Sequence, residues 1–405
     1  MNKYVFFSTC DIHDMGGVPY YYRGKAQYLE SQGWKVLIFH PGNDESNCLV
    51  PFLNKYVTEG SLKWPTDDIY ISPSYRNHFM NSLAKRIQSQ DDQTIILETH
   101  DYWTSPWVEL LARKIHAKHI ILELNELTED SAQYYQRYMD FYLFKLRRKE
   151  HFCIEKIFKS IYHGIDSVTY NNALQFELDE DPVSDVENKA IEEIKHNDWN
   201  IGYIGRANKG YVPNIIDGVC RFAERHTDHE IQFVVVGNFS CRKELFDTRA
   251  EGINNIKLIE LGDLSPLPKR YFSKVDVVIG GSGSARCSVY EGKLTLVADA
   301  QNYLCNGLLG YETQMSVYHD SYAEQTSFDV GLEKALVQQV YRNMHFRFSP
   351  KKSVEECCKQ NLEAVAASDQ TKKYYPAWKI SLAVLYYKLK TLLRRIYRLS
   401  CRISQ

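Results

Sequence analysis

Nowhere does this chain carry an uncharged apolar run near the ~20 residues that a bilayer-spanning helix needs, so a helical integral membrane protein is excluded. Its ten cysteines include no C-x-x-C pair, and Cys357 and Cys358 are neighbours that could not easily bridge to each other. Neither a disulfide framework nor a structural zinc is therefore expected; the pattern suits thiols in a reducing cytosol. The opening stretch MNKYVFFSTCDIHD lacks the apolar length and small-residue cleavage site of a secretory signal and reads as a first β-strand. There is no 20–50-residue repeat and no low-complexity tract. Nor is there an excess of positive charge: 49 basic and 51 acidic residues leave -2, which argues against wrapping nucleic acid.

One absence is local. From Thr371 to Gln405 there are nine basic residues and no acidic one, so everything before it carries -2 - 9 = -11. What the chain does have is the composition of a folded protein, 44% hydrophobic and 25% charged over 405 residues. That length exceeds one ordinary core and suits two, since single cores stop growing near ~250–300 residues.

Strand-like apolar runs alternate with amphipathic stretches through the first half. Lys3–Ser8, Lys35–His40, Thr94–Glu98 and His119–Leu124 read as strands; Tyr20–Gln32, Asn77–Ser89 and Ser105–Ala117 read as helices. Runs such as TIIL and IILEL suit strands covered on both faces, and the alternation predicts a parallel sheet between helix layers. A long helical region from about Thr128 to Lys159 follows, then a short strand at Ile165–Asn172. The polar, acidic stretch from Asp179 to Asn197 carries the domain boundary, after which the pattern restarts at WNIGYIG. The expected helices there are Val212–Arg225, Arg242–Ala250 and Leu332–Asn343, between the strands IQFVVVGN, IKLIEL, VDVVIGG and LTLVADA. The reading is two Rossmann-like α/β domains facing each other across a cleft, residues 1–180 and 198–365, with C-terminal helices over 366–405.

Several loops carry chemistry. Gly16-Gly17 follows the first strand and opens the first helix, a turn whose N–H groups can cradle an anion or simply reverse the chain. Gly205-Arg206-Ala-Asn-Lys209-Gly210 sits after the restarting strand. There Arg206 and Lys209 can clamp a diphosphate, or be solvated loop cations. Gly280-Gly281-Ser282-Gly283-Ser284 follows VDVVI and offers backbone N–H groups and hydroxyls to a phosphate or sugar. Glu291 can accept ribose hydroxyls or sit solvated. At the ends of the strands TIILET and IILEL lie His100-Asp101 and Asn125-Glu126. Glu126 and His100 are the candidates for a catalytic base, with His13 and Asp14 as rivals. No cluster has metal-ligand spacing, and no cofactor is expected.

The order of these features resembles the GT-B glycosyltransferases, most closely the family 4 (group 1) type, over nearly the whole chain. The resemblance rests on GGVPYYYRGKAQYLESQGWKVLIF, IGYIGRANKG, VDVVIGGSGSARCSVYEGKLTLV and NGLLGYET. It implies a metal-independent hexosyltransferase that moves a sugar from a nucleotide-diphosphate donor to a glycan or lipid-linked acceptor in cell-surface polysaccharide synthesis. By the same resemblance the N-terminal domain holds the acceptor and the C-terminal domain the donor. Gly16 and Gly17 would face donor phosphate and acceptor, and Arg206 and Lys209 would bind the diphosphate. The family's E-x7-E glutamates would fall near Ile279 and Cys287, neither acidic, and its His-Asp after the fourth strand is Asn125-Glu126 here. These departures keep two other readings open: a nucleotide-sugar epimerase of related fold, and a silent transferase-like subunit.

The acid-free end supplies a last feature. Leu382, Leu385, Tyr386, Leu389, Leu392, Leu393, Ile396 and Leu399 recur at helical spacing, with Lys388, Lys390, Arg394, Arg395 and Arg398 largely on the other side. A basic amphipathic helix of this kind predicts association of residues 380–402 with an anionic membrane surface, placing the protein on the cytoplasmic, inner face. Packing as a last helix of the fold, or docking on a partner protein, are its plainer alternatives.

Overall fold

The computed structural model describes residues 1–8, 12, 17–41, 51–56, 72–88, 94–124, 129–153, 155–163, 165, 183, 189–264, 267–320 and 322–403. The chain divides into two compact units: Met1–Asp14, Tyr21–Phe176 and Ser353–Gln405 form one, Met15–Tyr20 and Glu177–Lys352 the other.

The first unit is built from β1 (Lys3–Phe7), α1 (Gly17–Ser31), β2 (Lys35–Phe39), α2 (Pro73–Ile87), β3 (Ile95–Thr99), α3 (Ser105–Ile115) and β4 (Lys118–Leu122), then α4 (Glu129–Arg137), α5 (Met139–Arg147), β5 (His151–Phe152) and α6 (Glu155–Ile161). Its sheet is parallel in the order β2-β1-β3-β4-β5. β1 is buried along its whole length, as its apolar run requires, and its one cation, Lys3, spends its ammonium on the Ile87 carbonyl at 2.6 Å. The long helical region expected up to Lys159 is instead three helices and a strand. Lys149 takes a left-handed conformation (φ 54°) that ends the second helix, and the chain drops straight into the fifth strand. The strand expected at Ile165–Asn172 lies outside the described residues apart from Ile165.

The second unit comprises α7 (Lys189–Glu192), β6 (Trp199–Ile204), α8 (Val212–Arg225), β7 (Ile231–Val236), α9 (Ser240–Arg249), β8 (Ile256–Glu260), α10 (Lys269–Lys274), β9 (Val277–Gly280), α11 (Gly283–Tyr290), β10 (Leu294–Ala298), β11 (Cys305–Leu308) and α12 (Phe328–Leu332). Its strand order is β11-β10-β9-β6-β7-β8, parallel except for the β10–β11 pair. α8 shows why such helices form here. Val212, Ile215, Ile216, Val219, Cys220, Phe222 and Ala223 recur on one face and are all buried against the sheet. The helix expected over Leu332–Asn343 is broken: α12 passes into a π-helical turn (Glu333–Val337), and Gln339 is left-handed before a last short turn.

Two C-terminal helices, α13 (Val354–Ala367) and α14 (Ala377–Ile403), complete the chain. α13 was expected inside the second domain, but it groups with the first unit. It starts with a capping box between Ser353 and Glu356 and buries Cys357, Cys358 and Val365. Burial lifts the Cys358 thiol to about 12, with Lys25 pulling it down and Cys357 and Glu98 pushing it up.

The return is pinned by a buried ionic network. Glu109 on α3 accepts from His119 Nδ1 (2.8 Å), Lys145 Nζ (3.0 Å) and the Tyr375 amide (2.8 Å). Lys145 also meets Glu150 at 2.8 Å. Arg148 clamps both oxygens of Glu150 at 3.0 Å and reaches Asp369 at 2.8 Å and the Thr371 carbonyl at 2.7 Å. Burial alone would raise the Glu109 carboxyl, but Lys145 and His119 overcome it and hold it at about 2.

Removing one partner of a buried ion pair leaves an uncompensated charge. Glu109→Gln should therefore cost about 3–5 kcal/mol in urea unfolding and make the exposed Lys372-Lys373 pair a ready site for trypsin. An unchanged midpoint and cleavage pattern would show that apolar packing alone holds the C-terminal return.

Candidate functional site

In an open α/β sheet, ligands bind beyond the C-terminal ends of the strands where the strand order reverses direction. In the second unit that place lies between β6 and β9, which are neighbours while their connections leave in opposite directions. The loop after β6 carries Gly205, Arg206, Lys209 and Gly210; the loop after β9 carries Gly281, Ser282 and Gly283. The two cationic and glycine-rich loops singled out in the sequence thus share one sheet edge.

Local geometry there is set by close backbone approach. The Gly205 amide donates to the Val236 carbonyl at 3.0 Å and the Gly237 amide to Gly262 at 2.8 Å. Gly237 has φ 122°, and a Cβ on it would come within 2.2 Å of the Gly205 carbonyl oxygen, so no other residue fits. Arg206 is exposed and Lys209 half-buried, while the Arg206 carbonyl accepts from Tyr203 Oη at 3.0 Å and fixes the turn.

Ser282 is a non-glycine residue at φ 57°, ψ -127°, held there because its amide donates to the Ser316 carbonyl. Such a conformation costs on the order of 1–3 kcal/mol and gathers at functional sites. Its side chain does not cap α11. The first N–H groups of that helix, from Gly283 onward, have no intrahelical acceptor and form an electropositive end beside Arg206 and Lys209.

Two more cations belong here that the sequence did not single out. Arg242, in the first turns of α9, donates from Nε to the Ala207 carbonyl at 3.1 Å. Arg286, one turn into α11, donates to Ser316 Oγ at 3.1 Å. Both stand in the first turns of helices that follow parallel strands, the one signal that could have found them.

Ser284 and Glu291, both expected as donor contacts, stand at opposite ends of α11. The Ser284 hydroxyl donates back to the Gly281 carbonyl at 2.9 Å, so its proton stabilises the loop. Glu291 is the residue just after α11, at the helix's other end. With ~1.5 Å rise per residue, that is roughly 13.5 Å from Ser282, toward the opposite sheet edge. Nor do the two positions of the expected E-x7-E pair open on the site. Ile279 lies inside β9, and Cys287 packs with Ile204, Val236 and Val278.

The corresponding edge of the first unit lies between β1 and β3. Gly17 begins α1, and nothing lies within 4 Å of where its Cβ would be, which leaves the helix N-terminus open. Gly16, His13, Asp14, Asn125 and Glu126 lie outside the described residues.

His100 does not stand on an open loop. It is 2% exposed, with Nδ1 3.2 Å from the Leu122 carbonyl and Nε2 3.3 Å from Glu98 Oε1, its ring among Phe6, Tyr21 and Tyr22. Glu98 in turn accepts from Tyr4, Tyr21 and Lys25. Burial would raise the Glu98 carboxyl, but Lys25 and His100 pull it below its ordinary value, and burial lowers Lys25. Burial also depresses His100 to about 4, against the pull of Glu98, so the imidazole is neutral.

Asp101 is consumed by an Asx-type turn, accepting from the amides of Trp103 and Thr104 at 2.7 Å. A carboxyl missed in the sequence is Glu123, at the end of β4. It is 4% exposed, and burial lifts it well above the carboxylate range, with Asp101 adding to the rise. Among the described residues no group of three or more His, Cys, Asp or Glu could hold a metal ion.

Known structures bear on this arrangement. Anabaena HepE, solved with UDP and glucose, matches with a TM-score of 0.56 at 11% identity, over 97% of this chain and 100% of that one. The UDP-GlcNAc 2-epimerase of Neisseria meningitidis, bound to UDP-GlcNAc, matches with a TM-score of 0.52 at 13% identity, over 90% and 100%. The chain has the GT-B fold. At these identities the likeness is one of fold. No protein-family model and no curated protein matches the chain.

Three buried imidazoles of the first unit sit far below their ordinary 6.5: His100 and His119 at about 4 and His151 at about 3, each chiefly through burial. As pH falls below 6.5 the unfolded chain protonates these rings while the folded chain does not, so stability falls through the window down to about 4. At ~1.4 kcal/mol per pKa unit the loss is bounded at roughly 3.5 kcal/mol each for His100 and His119 and roughly 5 kcal/mol for His151, whose window reaches down to about 3. Urea midpoints should drop steeply between pH 7 and about 4.5; a flat profile would mean the rings are already protonated in the fold.

Proposed function

We propose that this protein is a glycosyltransferase. It moves a hexosyl group from a nucleoside diphosphate sugar to a glycan or lipid-linked acceptor in cell-surface polysaccharide synthesis, at the cytoplasmic face of an anionic membrane. The observation that carries the reading is that Arg206 and Lys209, in the loop after β6, and Arg286, in the first turns of α11, follow the two strands at the order reversal of the second unit, with Arg242 of α9 bonded to the β6 loop at the Ala207 carbonyl. A leaving diphosphate gains negative charge as the glycosidic bond breaks. Fixed guanidinium groups, an ammonium and helix N–H groups aimed at it stabilise that charge more in the transition state than in the bound donor. These side chains supply the positive charge that a divalent cation would otherwise bring, so the reading is metal-independent and needs no cofactor.

Uridine diphosphate is the first donor nucleotide to test, because Anabaena HepE and the Neisseria epimerase were solved with it or its sugar. Gly17 leaves room beside the N-terminus of α1 for a polar group. Glu126, just past the end of β4, is the candidate base for the acceptor hydroxyl. His100 is a positioning residue: its ring ties the end of β3 to β4 through the Leu122 carbonyl. With Cys287 buried where a ribose-binding glutamate would stand, the ribose contact falls to the loops after β6 and β9.

A charge-assisted hydrogen bond contributes ~1.5–3 kcal/mol, and 1.4 kcal/mol is tenfold in affinity. Arg206→Ala should thus weaken UDP binding about tenfold or more by calorimetry, and Glu126→Gln should lower kcat while leaving UDP affinity unchanged. No UDP, GDP or ADP binding at millimolar concentration, together with an inert Arg206→Ala, would end the transferase reading. Product from a nucleotide sugar without acceptor would favour an epimerase, and donor binding without turnover a silent subunit.

A further inference from the structure

α14 shows two apolar faces, and only one is used by the fold. Ile380 and Val384 are fully buried, and this side of the helix is tied to the first unit. Arg76 donates to Ser381 Oγ at 3.3 Å, and the Arg137 guanidinium lies 3.5 Å from the centre of the Tyr387 ring. A second stripe runs along the helix from Trp378 through Leu382, Leu385, Leu389 and Leu392 to Ile396, with Tyr386 and Leu393 beside it. All eight are between 46% and 67% exposed. At ~100° per residue they span an arc of roughly 120°, facing away from Ile380 and Val384.

We propose that this second stripe is an in-plane dock for an anionic lipid bilayer, rooted in the first unit through the buried side of α14. The inference rests on the membrane location in the proposed function and names the element, the face and the unit that make the contact.

Charge decides the occupant. The spacing 378-382-385-389-392-396 alternates four and three residues, as a coiled-coil seam does, so a second copy of the chain is the obvious competitor. But α14 carries seven basic residues and no acidic one. Pairing two copies along the stripe would set Lys379 and Lys390, at one edge, and Lys388, toward the other, against like charges with no partner of opposite sign. An anionic headgroup layer accepts the same cations while its acyl region takes the stripe. The chain before Thr371, at -11 by the count above, is repelled by that layer, so the tail is the part that approaches it. The helix lies on the surface and does not cross it: no helix among the described residues is long and apolar enough to span a membrane.

The test uses the full chain and sonicated vesicles. Flotation with vesicles of 30% phosphatidylglycerol in phosphatidylcholine should recover the protein, with pure phosphatidylcholine recovering at least tenfold less and half-molar salt releasing most of it. The double variant Leu389→Asp, Leu393→Asp leaves Ile380 and Val384 in place. It should lose binding at least tenfold with unchanged circular dichroism, melting and UDP affinity. Equal binding by that variant, or no binding of the anionic vesicles by the wild type, overturns the proposal. So does a concentration-dependent dimer that the variant abolishes without vesicle binding. UDP affinity is read separately, so failure of the dock and failure of the donor site are told apart.

Discussion

The architecture turns on one buried carboxylate. Glu109 lies in the interior of the first unit, where an unpaired charge could not persist, and it is satisfied only by groups from three other parts of the chain. These are His119 from β4, Lys145 from α5 and the backbone of Tyr375 from the C-terminal return. The last partner matters most. Because Tyr375 belongs to a segment that follows the whole second unit, the fold of the first unit is complete only when the chain has come back to it. Lys145 and Arg148 extend the same logic to Glu150 and Asp369, converting a charge that burial penalises into a lock between residues over two hundred positions apart. α14 inherits its position from this lock, since Pro376 and Ala377 follow Tyr375 directly.

The strands were legible because a parallel sheet covered on both sides writes itself as continuous apolar runs, and WNIGYI, IQFVVV and VVIG needed no tertiary information. α11 was not legible. GSGSARCSVY is rich in residues with poor helix propensity. It becomes helical because a crossover must return from the end of β9 to the start of β10, and Ala285 and Val289 bury against the sheet as it does so. The same crossover sets Ser282 and Glu291 at opposite ends of one helix. Both belong to a stretch read as one loop, and a helix separates its ends. The break at Lys149 and the return of α13 are also tertiary: a left-handed residue and a docking partner leave little trace in local sequence.

At the candidate site, the residues legible in sequence were those whose chemistry is carried by the backbone or by charge after a strand, namely Arg206, Lys209 and the glycines. Side chains whose role depends on what surrounds them were misread. His100, at a strand end, looks available in sequence, but in the fold β1, α1 and β4 close over it and Glu98 fixes its ring. Glu123, which resembles any strand-end carboxylate, is one whose carboxyl burial pushes well above its ordinary value. Arg242 and Arg286 sit inside helices, where a cation ordinarily means a solvated face.

The buried thiol at Cys287 links the site's departures to its proposed chemistry. A carboxylate there would have to sit among Ile204, Val236 and Val278, a placement that would cost several kcal/mol or drive the acid to its neutral form. The core around α11 is therefore built for an uncharged residue. On the proposed reading, a donor at the N-terminus of that helix would be gripped mainly by its diphosphate, through Arg206, Lys209 and backbone N–H groups of α11. Strong grip on the phosphates with weak grip on the ribose favours the leaving group over the nucleoside. Donor identity must then be read by the sugar and base contacts of the surrounding loops, while the diphosphate supplies affinity common to all donors.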